Sequence, residues 1–272
     1  MYTDYTRIMR NKLTEELAIC GINAVAAAAQ YHPESINRLF LREEKIQLFS
    51  GLCKNLAERK RPYKICEDEE LEKICKTSHH QGVVAMIYAP ELLPLNREDL
   101  DEWAQKGITG LVLHSIGNDH NFGAIVRSAA FFDAPLIIMS ESDPGAQLTT
   151  SAYRIAEGGM EHVRIRTVRD TAALLRDASR RIITVGAEMR ARQRIGDLVQ
   201  IINEKKSTLR DDSGGQSGRP GIAVVLGNEE TGLPREVTDR CTVLVRIPGT
   251  GLMESLNVAQ AANLFLYELF NI

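Results

Sequence analysis

Short apolar segments alternate with amphipathic segments along the second part of the chain. The apolar segments have the length of buried strands, and the segments between them have the periodicity of helices. This alternation is typical of a mostly parallel sheet covered by helices on both faces. We therefore predict an α/β domain over 106–272, with strands at 110–113, 136–139, 182–186, 222–226 and 243–247 and helices at 122–132, 150–157, 171–180 and 255–270.

The first part of the chain shows the same mixture on a smaller scale. It predicts a small α/β domain over 1–90, with strands at 36–40, 63–66 and 83–88, an alanine-rich helical segment after Gly21 within 17–29, and helices at 43–58 and 69–77. The segment 91–105 follows Pro90 and contains Pro94, so we interpret it as a linker. A polar insertion at 203–220, rich in glycine, serine and threonine, predicts a surface loop.

Composition restricts the class of protein. The 272 residues are 44% hydrophobic and 25% charged, which is ordinary for a folded domain, and the formal net charge is -3. Binding to nucleic acid would therefore depend on local basic patches. The candidates in the first domain are Lys54, Arg59, Lys60 and Arg61, with His79 and His80 nearby, and those in the second are Arg164, Arg166, Arg169, Arg190, Arg192 and Arg194. A solvated surface is the simpler explanation of each group.

The five cysteines form no C-x-x-C pair, so the sequence suggests neither a disulfide framework nor a metal site. The N-terminus lacks the apolar stretch of a signal peptide, and the longest apolar run, 82–89, is too short to cross a membrane. We expect a cytoplasmic protein without a membrane partner.

The first candidate site is the segment Asn121–Arg127, which follows a predicted strand and opens a helix. Arg127 is the only charged residue of an otherwise apolar stretch, which predicts a buried helix. Gly123 lies one turn earlier on the same face, and Asn121 occupies the position expected for an N-cap. Arg127 therefore needs either an acidic partner in the core or an opening to a ligand, and the sequence leaves both open.

The second and third candidates also follow predicted strands. In 224–234 an apolar strand meets Gly227, and Glu229 and Glu230 come next. Ligands of open α/β sheets bind beyond the carboxyl ends of strands, although a tight loop with solvated acids fits as well. In Ile247–Tyr267 a Pro/Gly loop leads to Ser255 or Asn257 as the start of an apolar helix. This loop and helix start could form the floor of a pocket, although a capped terminal helix that packs on the sheet fits as well. The second segment contains no phosphate-binding fingerprint, so a phosphate-rich cofactor is not favoured.

Together these segments resemble the three motifs of the SpoU/TrmH family. Asn121–Arg127 is similar to N-x-G-x-x-x-R, 226–234 to a motif built on G-x-E-x-x-G, and Ile247–Tyr267 to I-P-x-x-G-x-x-x-S-L-N-V-x-x-A. Their order and spacing agree with the family over about 110–272. A weaker match, through 21–25 and 80–84, resembles the substrate-binding domain that often precedes it.

The resemblance implies a SPOUT-type parallel sheet with a C-terminal deep trefoil knot, which the general rule on chain topology would not suggest. It implies an L30e-like RNA substrate-binding domain before the sheet and a homodimer formed through the SPOUT domain. It also implies transfer of a methyl group from S-adenosyl-L-methionine to a ribose 2'-hydroxyl of tRNA or rRNA. No metal is expected.

Carried over by position, the resemblance also implies the site residues. The donor would be held by Leu226, Gly227, Ile247, Gly251 and Leu256. Arg127 would be the central catalytic residue, supported by Asn121, Glu229, Ser255 and Asn257. Because a guanidinium keeps its proton at neutral pH, we interpret Arg127 as a stabiliser of phosphate or hydroxylate rather than as a base. The alternatives are a non-catalytic RNA-binding protein on this scaffold and a SPOUT enzyme that methylates a base.

Overall fold

A computed structural model describes residues 16–141, 147–206, 209 and 218–270. The chain forms two compact units. Among the described residues, the first contains 16–91 together with 147–162, and the second contains 92–141, 163–206, 209 and 218–270.

The elements are numbered in chain order. The strands are β1 (Glu16–Cys20), β2 (Ile36–Leu41), β3 (Tyr63–Ile65), β4 (Val83–Tyr88), β5 (Leu93–Pro94), β6 (Thr109–Leu113), β7 (Leu136–Ser140), β8 (Arg164–Val168), β9 (Ile182–Ala187), β10 (Gln193–Arg194), β11 (Gly221–Leu226) and β12 (Val243–Arg246). The helices are α1 (Ile22–Tyr31), α2 (Ser50–Glu58), α3 (Asp68–Cys75), α4 (Arg97–Gln105), α5 (Asp119–Phe131), α6 (Thr150–Ala156), α7 (Thr171–Ala178), α8 (Leu198–Lys206), α9 (Arg235–Thr238) and α10 (Val258–Phe270).

The first unit contains a four-stranded sheet in the order β1-β4-β2-β3. β4 pairs antiparallel with β1 and β2, and β3 pairs parallel with β2. The three predicted strands are confirmed. The helical segment predicted after Gly21 is confirmed as α1, whereas strand β1 at 16–20 was not predicted. All five residues of β1 are buried, and the strand is formed by its pairing with β4.

Of the other two helices predicted in this unit, one is shorter than expected. Only Ser50–Glu58 of the predicted helix 43–58 is α-helical, and Glu43–Lys45 forms a separate 3-10 turn. The helix predicted at 69–77 is confirmed as α3.

Residues 147–162 return to the first unit, which the sequence did not predict. They contain α6, which confirms the helix predicted at 150–157. Gly158 comes so close to α1 that a β-carbon there would lie 2.8 Å from that of Ala27. Its φ of +91° also favours glycine. Because the contact is close, the segment packs firmly on α1.

The second unit is built on an eight-stranded sheet in the order β10-β12-β9-β11-β6-β7-β8-β5, and every strand pair is parallel. The predicted α/β class and the five predicted strands are confirmed. β8 was not predicted, because Arg164 and Arg166 give it a polar pattern although it pairs with the buried β7. The helices predicted at 122–132, 171–180 and 255–270 are confirmed as α5, α7 and α10.

The segment 91–105 contains more structure than a linker requires. β5 pairs with β8, and α4 begins with a capping box in which Asn96 and Asp99 exchange hydrogen bonds. Trp103 of α4 is fully buried, and its indole Nε1 donates to the carbonyl oxygens of Ile108 and Ile222. This segment therefore forms part of the core of the second unit.

Other structural findings concern the insertion, the cysteines and the helices. α8 extends to Lys206, and most of the insertion predicted at 203–220 lies outside the described residues.

All five cysteines are free thiols, and four of them are buried. Among the helices of the described segments, none combines the length and the apolarity that crossing a membrane requires.

Candidate donor cavity and hydrogen-bond relay

A cavity of about 470 Å³ lies in the second unit, where β9, β11 and β12 end. The loop after β11 and the segment before α10 form much of its wall. Because these strands are parallel neighbours, their carboxyl ends bring the second and third sequence motifs together. The predicted donor residues in the wall are Leu226, Gly227, Ile247 and Leu256, and the predicted catalytic residues in the wall are Glu229 and Ser255.

Gly227 allows the loop after β11 to fold back on itself. A β-carbon at this position would lie 2.5 Å from the carbonyl oxygen of Gly232 and 2.6 Å from the amide nitrogen of Leu233. These are backbone atoms, so they cannot move aside as a flexible side chain would. Only glycine fits here, and the folded-back loop becomes one wall of the cavity.

Asn228 fixes the shape of the same loop. Its Nδ2 donates to the carbonyl oxygen of Ser115, at 2.9 Å, which links this loop to the loop after β6. Its Oδ1 accepts from the backbone amides of Glu230 and Thr231. The sequence analysis assigned Asn228 no role, although asparagine directly after a strand commonly forms such local bonds.

Three predicted catalytic residues form a hydrogen-bond relay. Asn257 Nδ2 donates to Asn121 Oδ1 at 2.9 Å, and Asn121 Nδ2 donates to Glu229 Oε1. Asn257 also caps α10, because its Oδ1 accepts from the backbone amides of Ala259 and Gln260. The relay therefore joins one side chain from each of the three sequence motifs.

Two expectations for α5 are wrong. Asn118, not Asn121, is its N-cap, since Asn118 Oδ1 accepts from the amide of His120 at 2.7 Å. Asn121 lies within the first turn and is free to bond across to the other motifs. The helix is also not buried all round, because Arg127 and Phe131 are exposed on one face. The sequence of α5 is apolar nearly all round because one face of the helix packs in the core and another presents apolar residues to solvent.

The structure places two further predicted residues away from the cavity wall. Arg127 lies on the exposed face of α5 and is not among the lining residues. Gly251 is exposed in the loop before α10, with a φ of +84°. The left-handed conformation explains the glycine by loop geometry.

The cavity wall carries more acidic than basic side chains. It contains the carboxylates of Glu188, Glu229, Glu230 and Glu254, and the guanidinium groups of Arg190 and Arg246. The sequence analysis did not place Glu188, Glu254 or Arg246 at the site. For Arg246 a signal existed, since it is the last residue of β12 and directly precedes the third motif. An excess of carboxylates favours a ligand with positive charge.

The predicted RNA-binding residues of the first unit have different surroundings. Arg59 Nη1 donates to the carbonyl oxygen of Pro33 at 2.7 Å, and Nη2 to that of Glu34 at 2.8 Å. Arg61 donates to Asn37 Oδ1. Lys54 and Lys60 are exposed. Arg59 and Arg61 therefore hold the backbone and a neighbouring side chain, whereas the two lysines point to solvent.

No cluster of metal-ligating side chains exists within the described parts of either unit. Two of the cavity carboxylates accept hydrogen bonds from amides: Glu229 from the side chain of Asn121, and Glu188 from the backbone of Arg190.

The chain matches two family profiles. Residues 109–267 match the SpoU rRNA methylase family, and residues 18–93 match the domain described as RNA 2'-O ribose methyltransferase substrate binding. The chain is 30% identical to the 23S rRNA (guanosine-2'-O-)-methyltransferase of Acinetobacter baylyi, covering 91% of this chain and 94% of the relative. It is also 30% identical to the enzyme of that name from Haemophilus influenzae, covering 92% and 96%.

Solved structures show the same fold. The rRNA methyltransferase of Sinorhizobium meliloti superposes with a TM-score of 0.71 at 20% identity, covering 94% of this chain and 87% of that one. The SpoU methyltransferase of Streptomyces viridochromogenes, solved in complex with AdoMet, superposes with a TM-score of 0.69 at 20% identity, covering 98% and 94%. The chain therefore belongs to the SpoU rRNA methylase family, and it is an RNA 2'-O-ribose methyltransferase.

Proposed function

We propose that the chain methylates the ribose 2'-hydroxyl of a guanosine in ribosomal RNA, with S-adenosyl-L-methionine as donor. The observation that carries this proposal is the relay through Asn257, Asn121 and Glu229, which joins the three motifs beside one cavity. The names of the full-length relatives support ribosomal RNA and guanosine as the target.

The cavity suits S-adenosyl-L-methionine in both polarity and charge. Leu226, Ile247 and Leu256 offer apolar surface for the adenine, and Gly227 leaves the backbone open to close approach. When bound, S-adenosyl-L-methionine supplies an electrophilic methyl group on a positively charged sulfonium. The surplus of carboxylates in the wall favours this charge.

We assign separate roles to the residues that surround the reaction. The relay holds Glu229 in place, and its carboxylate accepts the hydrogen bond of Asn121 while it faces the cavity. Ser255 lines the same wall and offers a hydroxyl to the incoming ribose. Arg127 stabilises the RNA phosphate or the developing hydroxylate, because its guanidinium stays charged and binds oxygens with two parallel hydrogen bonds.

We further propose a homodimer through an apolar face of the second unit. This α5–α10 face consists of Phe131, Leu264, Tyr267 and Phe270, all of them exposed, and Phe131 is 79% exposed. Large exposed apolar patches mark interaction sites. Arg127 lies one turn before Phe131 on the same side of α5, so an interface that covers Phe131 encloses Arg127 as well. Dimerisation would thereby bring Arg127 into a protein-lined site.

Three parts of the proposal concern architecture and location. The C-terminal region, with α10 packed against α5 and α8, would form the deep trefoil knot of SPOUT domains. The first unit would be the L30e-like substrate-binding domain, with Lys54 and Lys60 available to RNA phosphates. The protein would act in the cytoplasm.

The test is methylation of ribosomal RNA by the purified protein with tritiated S-adenosyl-L-methionine. The expected product is 2'-O-methylguanosine, identified after digestion to nucleosides. Label in a base would instead support a base methyltransferase, and donor binding without label in any RNA would support a non-catalytic RNA-binding protein. Arg127→Lys keeps the charge but loses the forked donor geometry, so near-normal single-turnover methylation by this variant would contradict the role of Arg127.

A further inference from the structure

Two arginines of β8 in the second unit are held by carboxylates of α4. Arg166 Nε lies 2.9 Å from Asp99 Oδ2, and Arg164 Nη1 lies 2.6 Å from Glu102 Oε2. Asp99 is buried and caps α4, so these pairs belong to the framework of the unit. The arginines of β8 are therefore committed to holding α4 against the sheet.

A second set lies between the donor cavity and the edge of the sheet, and we call it the arginine tract: Arg190, Arg192, Arg194 and Arg246. The first three are exposed, and Arg246 is half-buried at the end of β12. None of the four guanidinium groups forms a salt bridge with a carboxylate of residues 16–141, 147–206, 209 or 218–270. With no salt-bridge partner among the described residues, these guanidinium groups are open to an anion from outside the chain.

The tract extends from the donor cavity to the edge of the sheet. Arg190 and Arg246 line the cavity. Arg194 on the edge strand β10 is the register partner of Arg246 on β12. Paired residues of adjacent strands point to the same face, about 4.8 Å apart. The row of guanidinium groups that begins in the cavity wall therefore continues onto the open surface.

Arg246 shows most directly that a ligand is needed. Its Nε is buried and has no hydrogen-bond partner among the residues that the structure describes. A buried charged donor without an acceptor is costly, so this position favours an anionic ligand with free oxygens. Of the cavity carboxylates, Glu188 accepts from the backbone amide of Arg190 rather than from a guanidinium.

We propose that the arginine tract binds consecutive phosphates of the RNA strand and leads the target nucleotide to the donor cavity. This inference rests on the proposed function. A nucleic-acid strand supplies one phosphate per nucleotide, which suits a row of guanidinium groups that starts inside the cavity and continues outside it. The single carboxylate of S-adenosyl-L-methionine could satisfy only one of the four arginines.

The experiment measures binding of a fluorescein-labelled RNA hairpin by fluorescence anisotropy over a range of salt concentrations. The variants are Arg192→Gln/Arg194→Gln and Arg246→Gln. The matched control is Arg169→Gln/Arg176→Gln, which removes two exposed arginines of the same unit that pair with Glu141 and Asp177. Donor affinity of each variant is measured separately by calorimetry.

We expect the first double variant to lower the slope of log K against log salt by roughly 1.5, since each phosphate contact contributes about 0.7 to 0.9. Arg246→Gln should lower it by about half as much. For Arg192→Gln/Arg194→Gln, donor affinity should stay within about two-fold, and the control should resemble the wild type. Unchanged slopes, or a slope loss as large in the control, would overturn the proposal. So would a loss of donor affinity without a loss of slope, because the tract would then bind the donor.

Failure of this inference can be separated from failure of the proposed function. If the protein methylates RNA but its salt slope does not depend on the tract, the proposed function holds and phosphate binding by the tract is disproved. If RNA binding depends on the tract but no methyl group is transferred, phosphate binding by the tract holds and the proposed function is disproved.

Discussion

Asn121 donates a hydrogen bond from its side-chain amide to the carboxylate of Glu229, and thereby joins α5 to the loop after β11. The two residues are separated by 108 positions in the sequence. The same side chain accepts a hydrogen bond from Asn257, so its amide acts both as donor and as acceptor. A carboxylate held by an amide has one oxygen committed and can present the other to the cavity.

Replacing Asn121 tests this relay. Asn121→Ala removes both bonds, and Asn121→Asp puts a carboxylate against Glu229, where like charges repel. Hydrogen bonds to charged groups contribute about 1.5–3 kcal/mol, so we expect single-turnover methylation to slow by roughly ten- to a hundred-fold in Asn121→Ala and further in Asn121→Asp. Asn203→Ala, which truncates an exposed asparagine of α8, is the control. Equal rates in Asn121→Ala and Asn203→Ala would show that the relay is dispensable.

Gly227 offers a second test, because its neighbours are backbone atoms. We expect Gly227→Ala to push the loop after β11 outward, to lower stability by about 1–3 kcal/mol and to weaken binding of S-adenosyl-L-methionine. Calorimetric titration and thermal unfolding measure the two effects. Gly196→Ala is the matched control, since nothing lies within 4 Å of a β-carbon there. A Gly227→Ala protein with wild-type donor affinity would contradict the assignment of this loop to the donor site.

The parts of this fold that the sequence predicted are those with a strong local signal. The uninterrupted apolar runs of β6, β7, β9 and β11 belong to strands buried on both faces, and their lengths agree with the prediction. Gly227 and Glu229 were placed at a strand end, and the cavity lies there. Such features depend on residues close together in the chain, so a single sequence contains them.

The features that were missed depend on distant partners. Glu16–Cys20 forms a strand only because β4 lies beside it, and its own residues are compatible with a helix. The return of 147–162 to the first unit has no local signature, since α6 looks like any short amphipathic helix. Arg246 was overlooked because its unpartnered Nε becomes evident only when its surroundings are known.

The α5–α10 face provides a test of dimerisation. Phe131→Glu places a charge in the centre of the exposed apolar patch, and we expect it to shift the protein from dimer to monomer in analytical ultracentrifugation. Leu48→Glu is the control, because Leu48 is also exposed, at 59%, but belongs to the first unit. Dimers that persist in Phe131→Glu at micromolar concentration would assign the interface to another surface.

Trp103 provides a test of the second unit's core. It is the only tryptophan, and its indole satisfies two buried carbonyl oxygens. Trp103→Phe removes this donor and part of the ring, so we expect a loss of about 2–4 kcal/mol in unfolding free energy. Urea unfolding followed by circular dichroism measures it, with Tyr63→Phe at an exposed position as control. An unchanged midpoint would mean that α4 contributes little to the core.

Glu161 gives the stability of the first unit a defined dependence on pH. Burial raises the pKa of its carboxyl, the nearby Glu34 acts in the same direction, and the attraction of His32, at 3.5 Å, opposes them. Because the folded pKa lies above the unfolded value near 4.5, the folded state binds the proton more tightly. This contribution to stability is fully present below pH 4.5 and is lost as the pH rises through the folded pKa.

Glu161→Gln keeps the shape of the side chain without its charge. At pH 7 the variant avoids the cost of a buried carboxylate, so we expect a higher melting temperature than that of the wild type. Below pH 4.5 the wild-type carboxyl is protonated, and the difference should disappear. Thermal unfolding at several pH values measures this, with the exposed Glu58→Gln as control. A variant that melts lower than the wild type at pH 7 would show that attraction to His32 outweighs burial.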